Sequence, residues 1–243
     1  WWPYLLSFFL LVVLGSGIGA YLAKPSLFSG LQFWKAKKTA VTTPSSSKKK
    51  EEKSDLPAVS TKDWQLILVN RDNVKPELNP QLTDVDAIKV DSRIVEPTRQ
   101  FLEAARKIAP EETLISGYRS VAEQTELYNE RVAQLEASGL SHEEAEKQVQ
   151  TQVQVPGASE HQTGLAIDMS VEAGQSDELG MQLAAIAPQY GFVLRYPDGK
   201  SNITGVNFEN WHFRYVGVEN AQYMAKHQLV LEEYIQLLKK AGK

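Results

Sequence analysis

A histidine and an aspartate seven residues apart, with a Thr-Gly pair between them, are the first residues in this chain whose spacing suggests chemistry. They lie in Ser159-Glu160-His161-Gln162-Thr163-Gly164-Leu165-Ala166-Ile167-Asp168. In a straight strand, residues seven apart face opposite sides, so His161 and Asp168 converge only if the chain turns between them. Thr163-Gly164 supplies that turn, and a converging His and Asp are two ordinary zinc donors. A second stretch, Glu209-Asn210-Trp211-His212-Phe213-Arg214-Tyr215-Val216, alternates aromatic with polar residues and reads as a strand with one face of each kind. His212 supplies a third ligand and leaves a fourth tetrahedral position to water, the arrangement of a catalytic site. Glu209, three residues before His212, has the wrong parity in a regular strand to coordinate beside it, and is better placed to hold the water from the strand's entrance. The chain has no cysteine, which removes disulfides, thiolate metal sites and cysteine nucleophiles together. Of the other two histidines, His142 sits beside glutamates on an exposed helix and His227 lies in the last helix; both read as structural or solvent-facing.

The elements that must position these residues form an α+β domain over 61–243. A short strand is expected at Trp64–Val69. Thr98, Leu102, Ala105 and Ile108 have helical spacing, with Pro97 near the start and Pro110 after the end. Leu114–Ser116 is a brief apolar run leading into a turn. Ser120 and Glu123 form a capping-box pair ahead of a helix whose inward face carries Val121, Gln124, Tyr128, Val132 and Leu135. A polar helix follows over 141–153. Leu179, Leu183, Ile186 and Tyr190 mark another helix that Gly191 ends. Strands are expected at 165–169, 192–196 and 210–216, before one final helix over 219–238.

Trp1–Ala23 is almost wholly apolar and uncharged, long enough as a helix to cross a hydrocarbon core of roughly 30 Å. It reads as a membrane anchor or an uncleaved signal. Residues 24–60 read as a flexible, basic, low-complexity linker, too poor in large apolar residues to fold by themselves. Residues 24–53 carry eight of the 26 Lys and Arg but two of the 30 Asp and Glu, so within a net charge of −4 the remainder is about ten charges negative. An acidic domain excludes nucleic acid as a natural partner.

Taken together, Ser116-Gly117-Tyr118-Arg119-Ser120, Ser159-x-His161-x-x-Gly164-x-Ala166-x-Asp168 and Glu209-x-x-His212-x-Arg214-Tyr215-Val216-Gly217 resemble the VanY-type D-alanyl-D-alanine and LD-carboxypeptidases, zinc peptidases of peptidoglycan. The likeness runs on through Leu194-Arg195-Tyr196-Pro197, Ile203-Thr204-Gly205 and Leu231-Glu232-Glu233-Tyr234, and so covers about residues 64–235. It implies an antiparallel central sheet with flanking helices, of the hedgehog/D-Ala-D-Ala peptidase type. It also implies zinc on His161, Asp168 and His212, with Glu209 as catalytic base. Two departures, Asn210 where the family often has Pro and Phe208 where it often has Tyr, spare the ligands. The segment 130–154 is longer and more charged than the family pattern, which bears on cleft shape.

The substrate so implied is a peptidoglycan stem peptide losing its terminal D-Ala, by D,D- or L,D-cleavage. Arg119 stands just ahead of the helix that Ser120 caps, so its guanidinium and the helix amino end can face one carboxylate together. By the same resemblance, positions matching Gln124 and Ser159 contact substrate, and Tyr196 approaches the cleft or merely packs there. A cross-link endopeptidase and a non-catalytic wall-binding module of the same fold are the alternatives. The substrate lies outside the cytoplasmic membrane, so the domain is expected there, as a monomer tethered by its N-terminal helix. Lys24, Lys35, Lys37 and Lys38 after the span argue for the opposite orientation under the positive-inside rule.

Overall fold

A computed structural model of the chain describes residues 55–243. The anchor expected over 1–23 and the linker expected over 24–60 lie outside the described residues, apart from the last six of the linker. Among the described residues no helix is long and apolar enough to cross a membrane.

The domain opens on a two-stranded hairpin, β1 (Leu82–Val85) and β2 (Ile88–Asp91), turned at Asp86 with a positive φ of 48°. Helix α1 (Val95–Ile108) follows and buries Thr98, Leu102 and Ala105, as the spacing predicts, together with Phe101, whereas Ile108 at its end is exposed. Strand β3 (Thr113–Ser116) leads to α2 (Val121–Ala137), whose capping box between Ser120 and Glu123 is formed in both directions. Helix α3 (His142–Val149) packs back on α2 through Tyr128, Val132, Ala145 and Val149. The remaining strands are β4 (Ala166–Ser170), β5 (Phe192–Tyr196) and β6 (Glu209–Tyr215), interleaved with α4 (Asp177–Ile186) and the short α5 (Ser201–Thr204). Helices α6 (Val218–His227) and α7 (Leu231–Lys240) close the chain.

The central sheet is antiparallel in the order β3-β4-β6-β5. Alternation along each strand gives it two unlike faces. Ile167, Met169, Phe192 and Phe213 point into the main core with α1 and α4, where the Phe101 ring lies 5.3 Å from Phe192 and 5.1 Å from Phe213. Burying each such aromatic contributes about 1.5–3 kcal/mol by area alone. Asp168, His212 and Arg214 are out of phase with those residues and line the other face.

Three expectations are corrected. Trp64–Val69 is not a strand: Trp64–Leu66 is a single 3₁₀ turn, and the carbonyls of Gln65 and Ile67 accept from the Arg214 guanidinium at 3.1 and 2.7 Å where a ladder would otherwise need them. The final helix over 219–238 is two helices, broken where Gln228 turns left-handed at φ 54°. Ala221, Met224, Leu231, Ile235 and Leu238 all enter one core, and their 3/4 spacing runs straight through the break, so periodicity cannot reveal it. The β1–β2 hairpin has no counterpart among the expected elements. The second core, shared by α6, α7 and Val193, also takes in Leu56, so the packed domain reaches back beyond Thr61.

Candidate active site

Neighbouring strands build the polar face of the site residue by residue. Ser116 pairs with Asp168 across β3 and β4, and Asp168 pairs with His212 across β4 and β6. A row of three therefore crosses the sheet. His161 joins it from the 3₁₀ turn Glu160–Thr163, which Ser159 caps through its hydroxyl and Gly164 ends with φ 66°. The turn between His161 and Asp168 is thus the one the sequence required. A Cβ on Gly164 would stand 2.8 Å from the backbone nitrogen of Asp91, where Gly164 O now accepts the Asp91 N–H at 2.9 Å. Gly164→Ala is expected to lose about 1–2 kcal/mol from the left-handed backbone alone and more from this contact, read as a lower urea midpoint.

The Asp168 carboxylate is shared between the two imidazoles: Oδ2 is 3.4 Å from His161 Nε2 and Oδ1 is 3.1 Å from His212 Nδ1. The other nitrogen of His161, Nδ1, lies 2.6 Å from Gly117 O and donates to it, which leaves the Nε2 lone pair facing Asp168. Gly117 is held by the β1–β2 hairpin. Tyr118 N donates to Lys89 O at 2.6 Å, and a Cβ on Gly117 would come within 2.3 Å of that same oxygen.

Glu209 also reaches this centre, with Oε2 3.7 Å from His212 Nδ1. Parity in a regular strand would turn it away, but β6 is not regular. Leu194 pairs with Phe213 while Tyr196 pairs with Glu209, so Asn210, Trp211 and His212 stand opposite the single residue Arg195. That irregularity re-aims Glu209 onto the face of His212.

Burial pulls His161 down to about 3, outweighing the neighbouring Asp168. Burial also works against His212, yet Asp168 and Glu160 carry it up to about 9. Asp168 is held down to about 2 by His161, His212 and Arg119 although burial opposes them. Burial, with Asp168 adding to it, pushes Glu209 up to about 8. The field that draws a proton onto His212 is one that draws a cation equally well.

One donor atom from each of His161, Asp168 and His212 falls within 4.8 Å of the others, and Asp168 Oδ1 is buried without a hydrogen bond. Donors about 2.0–2.1 Å from a tetrahedral zinc stand about 3.4 Å from one another, close to the 3.1 and 3.4 Å found here. The set fits a small divalent cation.

Arg119 flanks the centre. Its Nη1 donates to Gln124 Oε1 at 3.0 Å and its Nη2 to Ser116 Oγ at 3.4 Å, while Gln124 Nε2 is tied to Gln154 O at 2.6 Å. The charges of Asp168 and Glu209 act on the guanidinium. Tyr196 packs its ring 4.9 Å from that of His212, and burial pushes its phenol upward. Ser159 Oγ accepts the His161 N–H at 3.4 Å, a capping role. His142 stands exposed beside Glu136 and Glu146, and His227 beside Asp55 and Tyr223.

A family model described as D-alanyl-D-alanine carboxypeptidase (VanY) matches residues 87–218, which hold all four centre residues and Arg119. The chain belongs to this family. A relative, the D-alanyl-D-alanine carboxypeptidase of Enterococcus faecalis, is 38% identical over 177 residues, covering 71% of this chain and 66% of the relative. The chain thus spans just under two thirds of that protein. Among solved structures, a mutant of the vancomycin-resistance D,D-pentapeptidase VanY in complex with Zn(II) superposes with a TM-score of 0.66 at 38% identity, covering 71% of this chain and 99% of that one. The LD-carboxypeptidase LdcB superposes with a TM-score of 0.60 at 31% identity, covering 71% and 86%.

Two residues of the site went unnominated from the sequence. Ser116 is one, held beside Arg119 by the bulge at Ile115 that shifts the β3–β4 register. Glu160 is the other: fully buried, it lies behind His212. Its signal was present in the sequence as a lone carboxylate flanked by Ser159 and His161, in a domain where Arg195, Arg214 and Glu232 also stand in motif positions and buried charges must pair.

Proposed function

We propose that the chain is a zinc-dependent carboxypeptidase that releases the C-terminal D-alanine of peptidoglycan stem peptides. The observation that carries the reading is one face holding a His-Asp-His donor set with both imidazoles buried, a buried carboxylate beside it, and an arginine set to take an anion. His161 Nε2, Asp168 and His212 Nδ1 would hold the zinc, which supplies Lewis-acid polarisation of the scissile carbonyl and acidifies water. Glu209 then accepts the proton of the attacking water and delivers it to the leaving amine. Arg119, with Gln124 bracing it, binds the terminal carboxylate and so limits the cleft to one residue past the scissile bond. That limit favours terminal cleavage over cutting of cross-links. Tyr196 packs behind His212 and Ser159 shapes the wall beside His161.

A pentapeptide ending in D-Ala-D-Ala is the preferred stem, supported by 38% identity to the D,D-pentapeptidase against 31% to the LD-carboxypeptidase. Such a substrate lies outside the cytoplasmic membrane, so the domain works there, tethered by Trp1–Ala23. The deciding experiment incubates the purified full chain, with zinc and with a chelator, with tetra- and pentapeptide stems and follows free D-Ala by mass. Zinc-dependent D-Ala from the pentapeptide supports the reading. Bound zinc without product from either stem leaves a wall-binding module instead.

Arg119→Ala is expected to raise KM or lower kcat on carboxylate-ended peptides by about 10- to 100-fold, the worth of one charge-assisted contact, with zinc content unchanged. Equal turnover of an amidated and a free-acid peptide by the wild type would remove Arg119 from this role.

A further inference from the structure

His212 has two ring nitrogens on opposite edges, and they face different chemistry. Nδ1 looks toward Asp168 and Glu209; Nε2 looks the other way, at Glu160 Oε2, 3.8 Å off. Both of these facing atoms, His212 Nε2 and Glu160 Oε2, are buried, and neither has a hydrogen-bond partner among the described residues. Two such orphans aimed at each other in a well-packed interior call for an explanation.

The opposite oxygen of Glu160 is saturated. Oε1 accepts from Arg195 Nε at 2.8 Å and from Arg214 Nη1 at 2.7 Å, and none of these three side chains touches solvent. Arg195 is itself clamped, giving Nη1 and Nη2 to the two oxygens of Glu232 at 2.9 and 2.6 Å, and Asn70 Nδ2 adds a third bond to Glu232 at 2.9 Å. Arg214 spends its other donors on the carbonyls of Gln65, Ile67 and Tyr215. The carboxylate of Glu160 is therefore fixed by β5, β6, the first turn of α7 and the segment before β1, with only Oε2 left to act.

We propose that Glu160 is a positioning residue. Its Oε2 takes the Nε2–H of His212, and so keeps the Nδ1 lone pair turned toward Asp168 for the metal. A small rotation of the imidazole closes the 3.8 Å gap to a hydrogen bond. Because Nδ1 and Nε2 lie on opposite edges of the ring, Glu160 does not compete as a ligand. Arg195 and Arg214 hold it stationary, and the break between α6 and α7 places Glu232 where it can hold Arg195. A carboxylate behind a ligating histidine fixes ring orientation and tautomer, and its loss commonly costs 10- to 100-fold in metal affinity.

The inference rests on the metal reading of His161, Asp168 and His212, and the test separates the two. In the zinc-loaded full chain with ¹⁵N-labelled histidine, His212 is expected to carry its proton on Nε2. A proton on Nδ1 would overturn the inference without any variant. Glu160→Asp keeps a charge for the two arginines but withdraws the oxygen by one methylene. Zinc competition with a chromophoric chelator should show binding weakened by about 10- to 100-fold, and the cobalt-substituted protein should show a changed visible spectrum. Glu232→Gln, which touches Arg195 but not His212, should lower the melting temperature with a smaller change in zinc affinity. Wild-type zinc affinity and spectrum in Glu160→Asp would overturn the inference alone; a wild-type protein that binds no zinc would overturn the metal reading and this inference with it.

Discussion

Glu209→Gln should lower kcat by about 10²- to 10⁴-fold, the usual worth of a general base, while the protein keeps one zinc and its melting temperature. The amide fills the same buried space beside His212, so the fold loses little, but it cannot accept a proton. Glu209 is ionised only above its own pKa, and burial pushes that up to about 8. A divalent cation at the neighbouring donors favours the ionised form and draws the value down. The acid limb of the wild-type kcat/KM profile is therefore expected below pH 8, with activity falling as pH falls through it, and Glu209→Gln should lose that limb. Steady-state kinetics from pH 5 to 9 on a pentapeptide stem, with zinc measured on the same samples, checks both points. Near-normal turnover in the zinc-loaded variant would remove Glu209 from the mechanism.

Asp168→Ala is expected to bring zinc content and D-Ala release to background. Asp168 is the shared partner of both imidazoles, at 3.4 and 3.1 Å. Removing it leaves two neutral donors where three were needed, and leaves His212 and Arg119 without their nearest shared counter-charge. The same centre predicts the pH dependence of metal binding. His212 is raised to about 9, so below that pH the metal must displace a proton from it. Apparent zinc affinity should then rise about tenfold per pH unit toward pH 9 from that proton alone. Chelator competition between pH 6 and 9 measures the slope, and a flat profile would show that His212 binds no metal.

Much of the architecture is legible in particular residues. Ser120 and Glu123 announce the start of α2, Gly191 the end of the turn that follows α4, and the aromatic alternation in 211–215 the two faces of β6. Local signals of this kind are complete within one element, since caps and periodicity involve neighbours in sequence. The errors come where one element answers to another. Trp64–Val69 has strand composition, yet its carbonyls go to Arg214, a residue some 150 positions away. The break at Gln228 is silent because both halves present apolar residues to the same core. The β1–β2 hairpin is not legible in the sequence, and its importance comes from bracing Gly117, a contact between elements distant in the chain.

For the site, the sequence by itself determined the candidate donor types, the turn that lets His161 meet Asp168, and the family to which the motifs belong. Those follow from donor chemistry and from residues within ten positions of one another. Only the tertiary structure decided how Glu209 joins His212, because a register shift between β5 and β6 overrides the parity of a single strand. It alone also set Glu160 behind His212, since a buried carboxylate is tolerated only where distant arginines converge on it. Which nitrogen of each histidine faces Asp168 was likewise invisible in sequence: that depends on what stands at the far edge of the ring, Gly117 O for one and Glu160 for the other.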